Sequence, residues 1–456
     1  MRRLVAIAAA AVSVVSLGAG PAQAAAAPAG VSVQPAATAL VAATRAPALG
    51  KAAPTKVAPR KAAPRTAVRP VARPTALVGR AVTAAAFGMH DSRQAATNAY
   101  GALRLWDTGT TWADIEPAKG TYSWARLDAY VAYARARKMK VTLVLGSTPA
   151  WAAATTKAPG TGGYLGPAAS SPPRDRADWV RYVGAVATRY RGRIDSYQVW
   201  NEAALPGFWS GTPAQLADLT QLANAKIKSV DRRALVVATA VLPRQTAWST
   251  WASAYLRALA VRKWPVDVFA VHSYQPDAVA HPDGRALTLR RAQDLLTSLK
   301  APAKPLWDTE ANYTSKAFTK TKVTGQRAAD YTARAYLDSL RSGVDRTFWY
   351  AWDNPVPNLG ITMTSGSTSQ RGLVNVQKWV VGSTFRGCAA VKAKTKVVVT
   401  TCTFQRGKVV SRVVWASANA RTALPAVTAK RVCQLLTGCR PVTKATYVTT
   451  SPQLLG

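Results

Sequence analysis

The chain has 456 residues, with 60 Lys and Arg against 21 Asp and Glu, a net charge of +39 and 48% apolar side chains. That apolar share excludes a wholly disordered chain, and the length suits two or three domains, or one large barrel with a small appendage. Glu occurs only at positions 116, 202 and 310, so a composition that otherwise avoids this residue makes each of the three informative.

Arg2 and Arg3 precede an apolar run from Leu4 to about Leu17, and Ala22-Gln23-Ala24 supplies the small residues of a cleavage site. The pattern predicts a signal peptide over residues 1–24 and a secreted, extracellular protein; an uncleaved N-terminal anchor is the alternative. No later run reaches the roughly 18 uninterrupted apolar residues of a membrane span. Residues 25–81 are dominated by Ala, Pro, Val and Thr with interspersed Lys and Arg, and the first acidic residue of the chain is Asp91. Prolines at this spacing forbid long helices, so the segment reads as a disordered basic linker. It serves either to hold the protein near anionic cell-envelope polymers by salt-sensitive attraction or simply as a solubilising spacer. No finger, helix-turn-helix or RNA-recognition motif accompanies the charge, and no nucleic-acid partner is expected.

Between residues 82 and 384, short apolar runs alternate with longer amphipathic stretches, the mark of parallel strands joined by helical crossovers. The predicted strands are Val82–Met89, Ala102–Trp106, Lys140–Gly146, Ile194–Trp200, Leu235–Val241, Val266–His272, Pro305–Thr309 and Arg346–Tyr350. Helices are expected in the gaps, among them Trp124–Lys138, Ala177–Tyr190, Pro213–Val230, Ala286–Leu299 and Gly325–Ser342. This count and spacing predict an α/β fold of the (β/α)₈ TIM-barrel class over 82–384, with a doubly wound sheet as runner-up that lacks its glycine-rich phosphate loop. From residue 385 to 456 the pattern turns to short alternating runs with few helix signals, predicting a small C-terminal β-sandwich of accessory, structural role. All four cysteines lie there, at 388, 402, 433 and 439. In an exported chain they suggest disulfides rather than a metal site, with sequential pairing preferred among three connectivities.

A parallel barrel gathers the C-terminal ends of its strands around one opening, so polar residues at those ends become neighbours. They include His90, Arg104, Asp107, Asn201, Glu202, His272, Tyr274, Asp308 and Glu310. Two Glu thus face one opening, from the ends of the fourth and seventh strands. Such a pair suits cleavage of an acetal, one carboxyl protonating the leaving oxygen while the other attacks the anomeric carbon.

Trp200-Asn201-Glu202 and Asp308-Thr309-Glu310 resemble the paired motifs of the clan A retaining glycoside hydrolases. Arg104-Leu105-Trp106-Asp107 with Trp112, Glu116-Pro117, Gly120, Tyr122-Ser123-Trp124 and Leu127-Asp128 resembles family 39 and its cellulase-like actinobacterial relatives. The resemblance spans about residues 85–384 and implies Glu202 as general acid/base, Glu310 as nucleophile, and Asn201 on the sugar hydroxyl next to the anomeric carbon. Arg104 and Tyr274 are expected to hold the nucleophile, and the cycle needs no metal or organic cofactor.

His272 and His90 are read as substrate contacts or as satisfied structural imidazoles, and Asp107 as a contact to a sugar hydroxyl. Asp308 is read as a site group or a buried structural partner, and His281 as exposed and uninvolved. Trp106, Trp112, Trp151, Trp349 and Trp352 cluster near the expected mouth; Trp151 and Trp349 are the preferred sugar platforms, with Trp352 beside them, though each Trp also suits a core. The expected protein is a monomeric secreted glycosidase acting on a poly- or oligosaccharide. The competing expectations are a carbohydrate-binding barrel without turnover and an adhesive polycation.

Overall fold

The computed structural model describes residues 77–158, 168–275, 282–313, 322–353, 359–392, 397–417, 422–423, 429–442 and 447–456. The expected signal peptide, nearly all of the basic linker and His281 lie outside the described residues. No described helix is long and apolar enough to cross a membrane.

Eight parallel strands close into a barrel in chain order: β1 Phe87–Met89, β2 Ala102–Leu105, β3 Lys140–Leu145, β4 Ser196–Val199, β5 Leu235–Val241, β6 Val268–His272, β7 Leu306–Ala311 and β8 Val344–Trp349. Pairing of Phe87 with Thr347 closes the ring. Small residues face large ones inside it: Ala102, Ala240 and Ala270 leave room for Trp307 and Phe348. Gly88 leaves room as well, since a Cβ there would stand 2.5 Å from the Phe348 ring. The result is a packed interior rather than a pore.

Helices follow β2 to β8: a one-turn α1 Trp112–Ile115, then α2 Ala125–Ala136, α3 Arg176–Arg189, α4 Pro213–Val230, α5 Thr246–Val261, α6 Asp283–Ser298, α7 Gly325–Arg341 and α8 Thr368–Val380. In α4, Thr212 and Gln215 form a capping box, Pro213 occupies the first turn, and Leu216, Leu219, Ala223 and Ile227 form the buried stripe. The alternation predicted helices in every gap, but the link from β1 to β2 has none. Asp91 organises it instead, accepting from the Ala95 and Ala96 amides at 2.9 and 3.0 Å and from the Tyr100 and Tyr133 hydroxyls at 3.1 and 2.9 Å.

Beyond the barrel, a six-stranded antiparallel sheet runs in the order β14-β13-β16-β11-β10-β9, and β12 pairs with β15 as a two-stranded ribbon. Its strands are β9 Thr384–Lys392, β10 Val398–Arg406, β11 Val409–Ala416, β13 Arg431–Gln434, β14 Gly438–Pro441 and β16 Gln453–Leu455; the ribbon joins β12 Thr422–Ala423 to β15 Tyr447–Val448. Strand alternation gives the sheet two apolar faces. Cys402, Phe404, Val413 and Trp415 join the barrel core. Val399, Val414, Ala416 and Leu455 meet Val448 of the ribbon on the other side. The disulfides are Cys388–Cys402 and Cys433–Cys439, each joining residues directly opposite in a strand pair.

Candidate active site

Strand β7 carries an extra residue at its C-terminal end. Against β6, Val271 pairs with Asp308 but the next residue, His272, pairs with Glu310. Against β8, Asp308 pairs with Thr347 while Ala311 pairs with Trp349, so both neighbours register a bulge around Thr309. In a regular strand Asp308 and Glu310 would share a face. The bulge turns them apart: Asp308 meets Arg285 of α6 on the helix side, and Glu310 enters the opening. At the end of β4, Trp200 and Glu202 have φ of 65° and 40°, a left-handed conformation that non-glycine residues adopt at an energetic penalty. This turn brings Glu202 to the same opening.

Ligand atoms of Glu202, His272 and Glu310 all lie within 4.8 Å of one another, which brings the two carboxylates to within a single glycosidic linkage. Arg104, fully buried on β2, ties the floor together. Its Nε donates to Gln198 Oε1 at 2.8 Å, Nη1 to Glu310 Oε2 at 3.2 Å and Nη2 to Asn201 Oδ1 at 2.7 Å. The Tyr274 hydroxyl donates to the other Glu310 oxygen at 2.7 Å. Burial pushes this phenol well above its ordinary range, so it stays protonated and remains a donor.

Glu202 and Glu310 have different surroundings. Burial pushes the Glu202 carboxyl up, and the positive charges of Arg244 and Arg104 offset this only in part. His272 Nδ1 stands 2.8 Å from Glu202 Oε1, and its Nε2 lies 3.1 Å from the Thr309 hydroxyl. Burial pulls this imidazole down to about 3, against the opposing pull of Glu310, so the ring is neutral near neutral pH. The Thr309 hydroxyl accepts from Gln198 Nε2 at 3.2 Å and donates to His272 Nε2, so the neutral ring carries its proton on Nδ1 and donates to Glu202 Oε1, leaving the carboxyl's own proton for its other oxygen. Glu310, in contrast, faces a guanidinium and a phenol that both donate to it. The trio of Glu202, His272 and Glu310 offers metal-type donors, but the guanidinium against Glu310 already compensates its charge and opposes a cation there.

His90, fully buried, directs Nε2 at the Thr309 carbonyl at 3.1 Å, with Arg104 Nη1 at 3.4 Å. Its Nδ1 is 3.8 Å from Asp107, whose other oxygen accepts from the Tyr350 hydroxyl at 2.9 Å. Trp349 and Trp352 are buried at the end of β8, Trp349 against Tyr313. Trp151 is half-buried, edge-on to Trp112, and donates to the Glu116 carbonyl at 2.9 Å. Glu116 stands apart from the pair: it accepts from Trp112, the Gly120 amide and Arg181 at 2.8, 2.9 and 2.9 Å, pinning the loop after α1. Sequence reasoning missed Gln198 and Thr309, which link Arg104 to His272, and Arg285 behind Asp308. The available signal was a polar side chain inside a short apolar strand, as in Ser-Tyr-Gln-Val for β4.

The sequence model of glycosyl hydrolase family 10 matches residues 69–211. Among solved structures, a family 39 β-xylosidase from Caulobacter crescentus superposes with a TM-score of 0.54 at 15% identity, over 78% of this chain and 88% of that one. A family 39 enzyme from Xanthomonas axonopodis pv. citri gives 0.50 at 18% identity, over 68% of this chain and 67% of that one. A glucosidase from Croceicoccus marinus gives 0.52 at 15% identity, covering 77% and 75%. No curated protein matches the chain. At such identities the structural likenesses carry the fold; the family-model match and the facing carboxylates carry the chemistry. The chain is a glycosidase resembling the clan A retaining enzymes of family 39. In this glycosidase the strand-two motif, the turn after β4 and the bulged β7 converge on one opening.

Proposed function

We propose that the glycosidase is secreted and cleaves O-glycosidic bonds of a poly- or oligosaccharide with retention of anomeric configuration. Glu202 acts as general acid/base and Glu310 as nucleophile. The observation that carries this reading is the approach of the two carboxylates, whose nearest oxygens lie within 4.8 Å. Retaining enzymes hold them about 5 Å apart, whereas inverting enzymes leave several ångströms more for a water.

In the first step the raised Glu202 carboxyl gives its proton to the leaving oxygen while Glu310, held by Arg104 and Tyr274, attacks the anomeric carbon. Esterification removes the charge on Glu310, Glu202 then gives up its proton more readily, and the carboxylate serves as base toward water. Neutral His272 orients Glu202 without adding a second positive charge. Asn201, held by Arg104, is assigned to the sugar hydroxyl beside the anomeric carbon, and His90 and Asp107 to further glycone hydroxyls. Half-buried Trp151 is assigned to a sugar platform, whereas Trp349 and Trp352, which are buried, are assigned to packing beneath the site. The β-xylosidase and glucosidase likenesses make neutral aryl β-xylosides and β-glucosides the first substrates to try.

The leader over residues 1–24, the acid-free basic linker and the two disulfides support export and association with anionic envelope polymers. The test is product analysis after incubation with neutral xylans, β-glucans, galactans and acidic polysaccharides in parallel. Release of sugars by the native chain, abolished in Glu310→Ala, is expected; equal release by the variant would remove the assignment.

A further inference from the structure

Tyr274 is the only donor to Glu310 Oε1 among the described contacts, so its placement sets the orientation of the nucleophile. It lies two residues beyond His272, the last residue of β6, with the Arg244 guanidinium over its ring at 5.4 Å. Three hydrogen bonds on the helix side of the barrel hold its backbone segment. On one side, the Ser273 amide donates to Asp308 Oδ1 at 3.2 Å and the Ser273 hydroxyl donates to Asp308 Oδ2. On the other, the Thr288 hydroxyl of α6 donates to the Tyr274 carbonyl at 3.1 Å. Asp308 is itself fixed by Arg285 of α6, which spans to the Ala335 carbonyl at 2.5 Å and the Ser339 hydroxyl at 2.7 Å on α7. Asp308, Arg285 and Thr288 are fully buried and touch neither catalytic carboxylate.

We propose that Asp308, Arg285 and Thr288 form a positioning device that clamps residues 273 and 274 from both sides and thereby sets the Tyr274 hydroxyl against Glu310. A buried ion pair is a poor source of net stability but a source of fixed geometry, and this one holds its place through the remaining bonds although Arg285 Nε has no partner among the described residues. Here Asp308 receives three bonds and Arg285 bridges two helices, so α6 and α7 transmit their position to the nucleophile through one carboxylate. The bulge at Thr309 is what permits this arrangement, because it lets Asp308 and Glu310, two residues apart on β7, serve the helix layer and the sugar site at once.

The inference rests on Glu310 being the nucleophile, and its test has an arm that does not. Thr288→Val preserves volume while deleting the hydroxyl; Thr288→Ser restores it. On an aryl β-glycoside that the native chain cleaves, Thr288→Val is expected to lower kcat on the order of 10- to 100-fold with little change in KM. Thr288→Ser is expected to recover most of the loss. In a Tyr274→Phe background the same substitution should have no further effect, because a residue acting through Tyr274 has nothing left to position. Equal losses in both backgrounds would overturn the proposal. The second arm places 3-fluorotyrosine at position 274 and reads its ¹⁹F resonance. Thr288→Val and Asp308→Asn should each shift or broaden it in the folded chain, and an unmoved resonance would overturn the proposal even if no substrate were cleaved.

Discussion

Glu202 and Glu310 are the same residue type at one opening, and their neighbours differ in the way that their proposed duties require. Burial raises Glu202, so it keeps its proton to a pH above the ordinary carboxylate range, and activity should fall on the alkaline side as that proton is lost. Arg244 and Arg104 oppose this rise. Arg244→Ala should therefore move the alkaline limb of the kcat/KM profile to higher pH, a direction that a pH series on an aryl glycoside checks. His272, held down at about 3, should contribute no limb above about pH 4. Glu202→Gln should lower turnover about 10²- to 10⁴-fold on substrates with poor leaving groups and flatten the alkaline limb; an unaltered limb would assign it to another group.

At the scale of elements, the packing of α7 on α8 depends on Gly372, where a Cβ would come within 2.5 Å of the Ala329 carbonyl oxygen and 2.8 Å of its Cα. Gly372→Ala should force the helices apart, costing about 1–3 kcal/mol and lowering Tm without moving the pH profile. Leu235–Val241 and Pro213–Val230 were legible to the residue, because a short Val-rich run free of charged residues and a Thr-Pro cap with an apolar stripe mark their ends clearly. The ends of β4 and β7 were legible as places where Glu gathers. The bulge at Thr309 was not, because it arises from register against β6 and β8 and leaves no local pattern. Asp308 was accordingly ambiguous in the sequence: only the bulge decides that it faces Arg285 while Glu310 faces the opening. The helix-free link after β1 escaped for a related reason, since Asp91 organises it through Tyr133, distant in the chain.

Across the whole molecule, the C-terminal sheet is fused to the barrel rather than hung from it. Trp415 of β11 packs under the guanidinium groups of Arg334 and Arg341 on α7, at 5.1 and 6.0 Å. Arg334 in turn binds Asp283 at the start of α6 and Asp338. Trp415→Ala should cost about 3–5 kcal/mol, and a single cooperative unfolding transition, shifted down in the variant, is the expected calorimetric result. Two transitions, with only the smaller one shifted, would mean that the sheet and barrel unfold independently. The same α6–α7 layer backs Asp308, so the sheet buttresses the wall behind the C-terminal end of β7. The proposed function reduces to one chemical event, the attack of Glu310 on an anomeric carbon, and trapping that event tests it directly. After incubation with activated 2-deoxy-2-fluoro β-xyloside and β-glucoside, peptide mass spectrometry should find the fluorosugar esterified to Glu310 in the native chain and absent in Glu310→Gln. A sugar attached to any other side chain, or hydrolysis of the parent glycosides with inverted configuration and no adduct, would contradict the account.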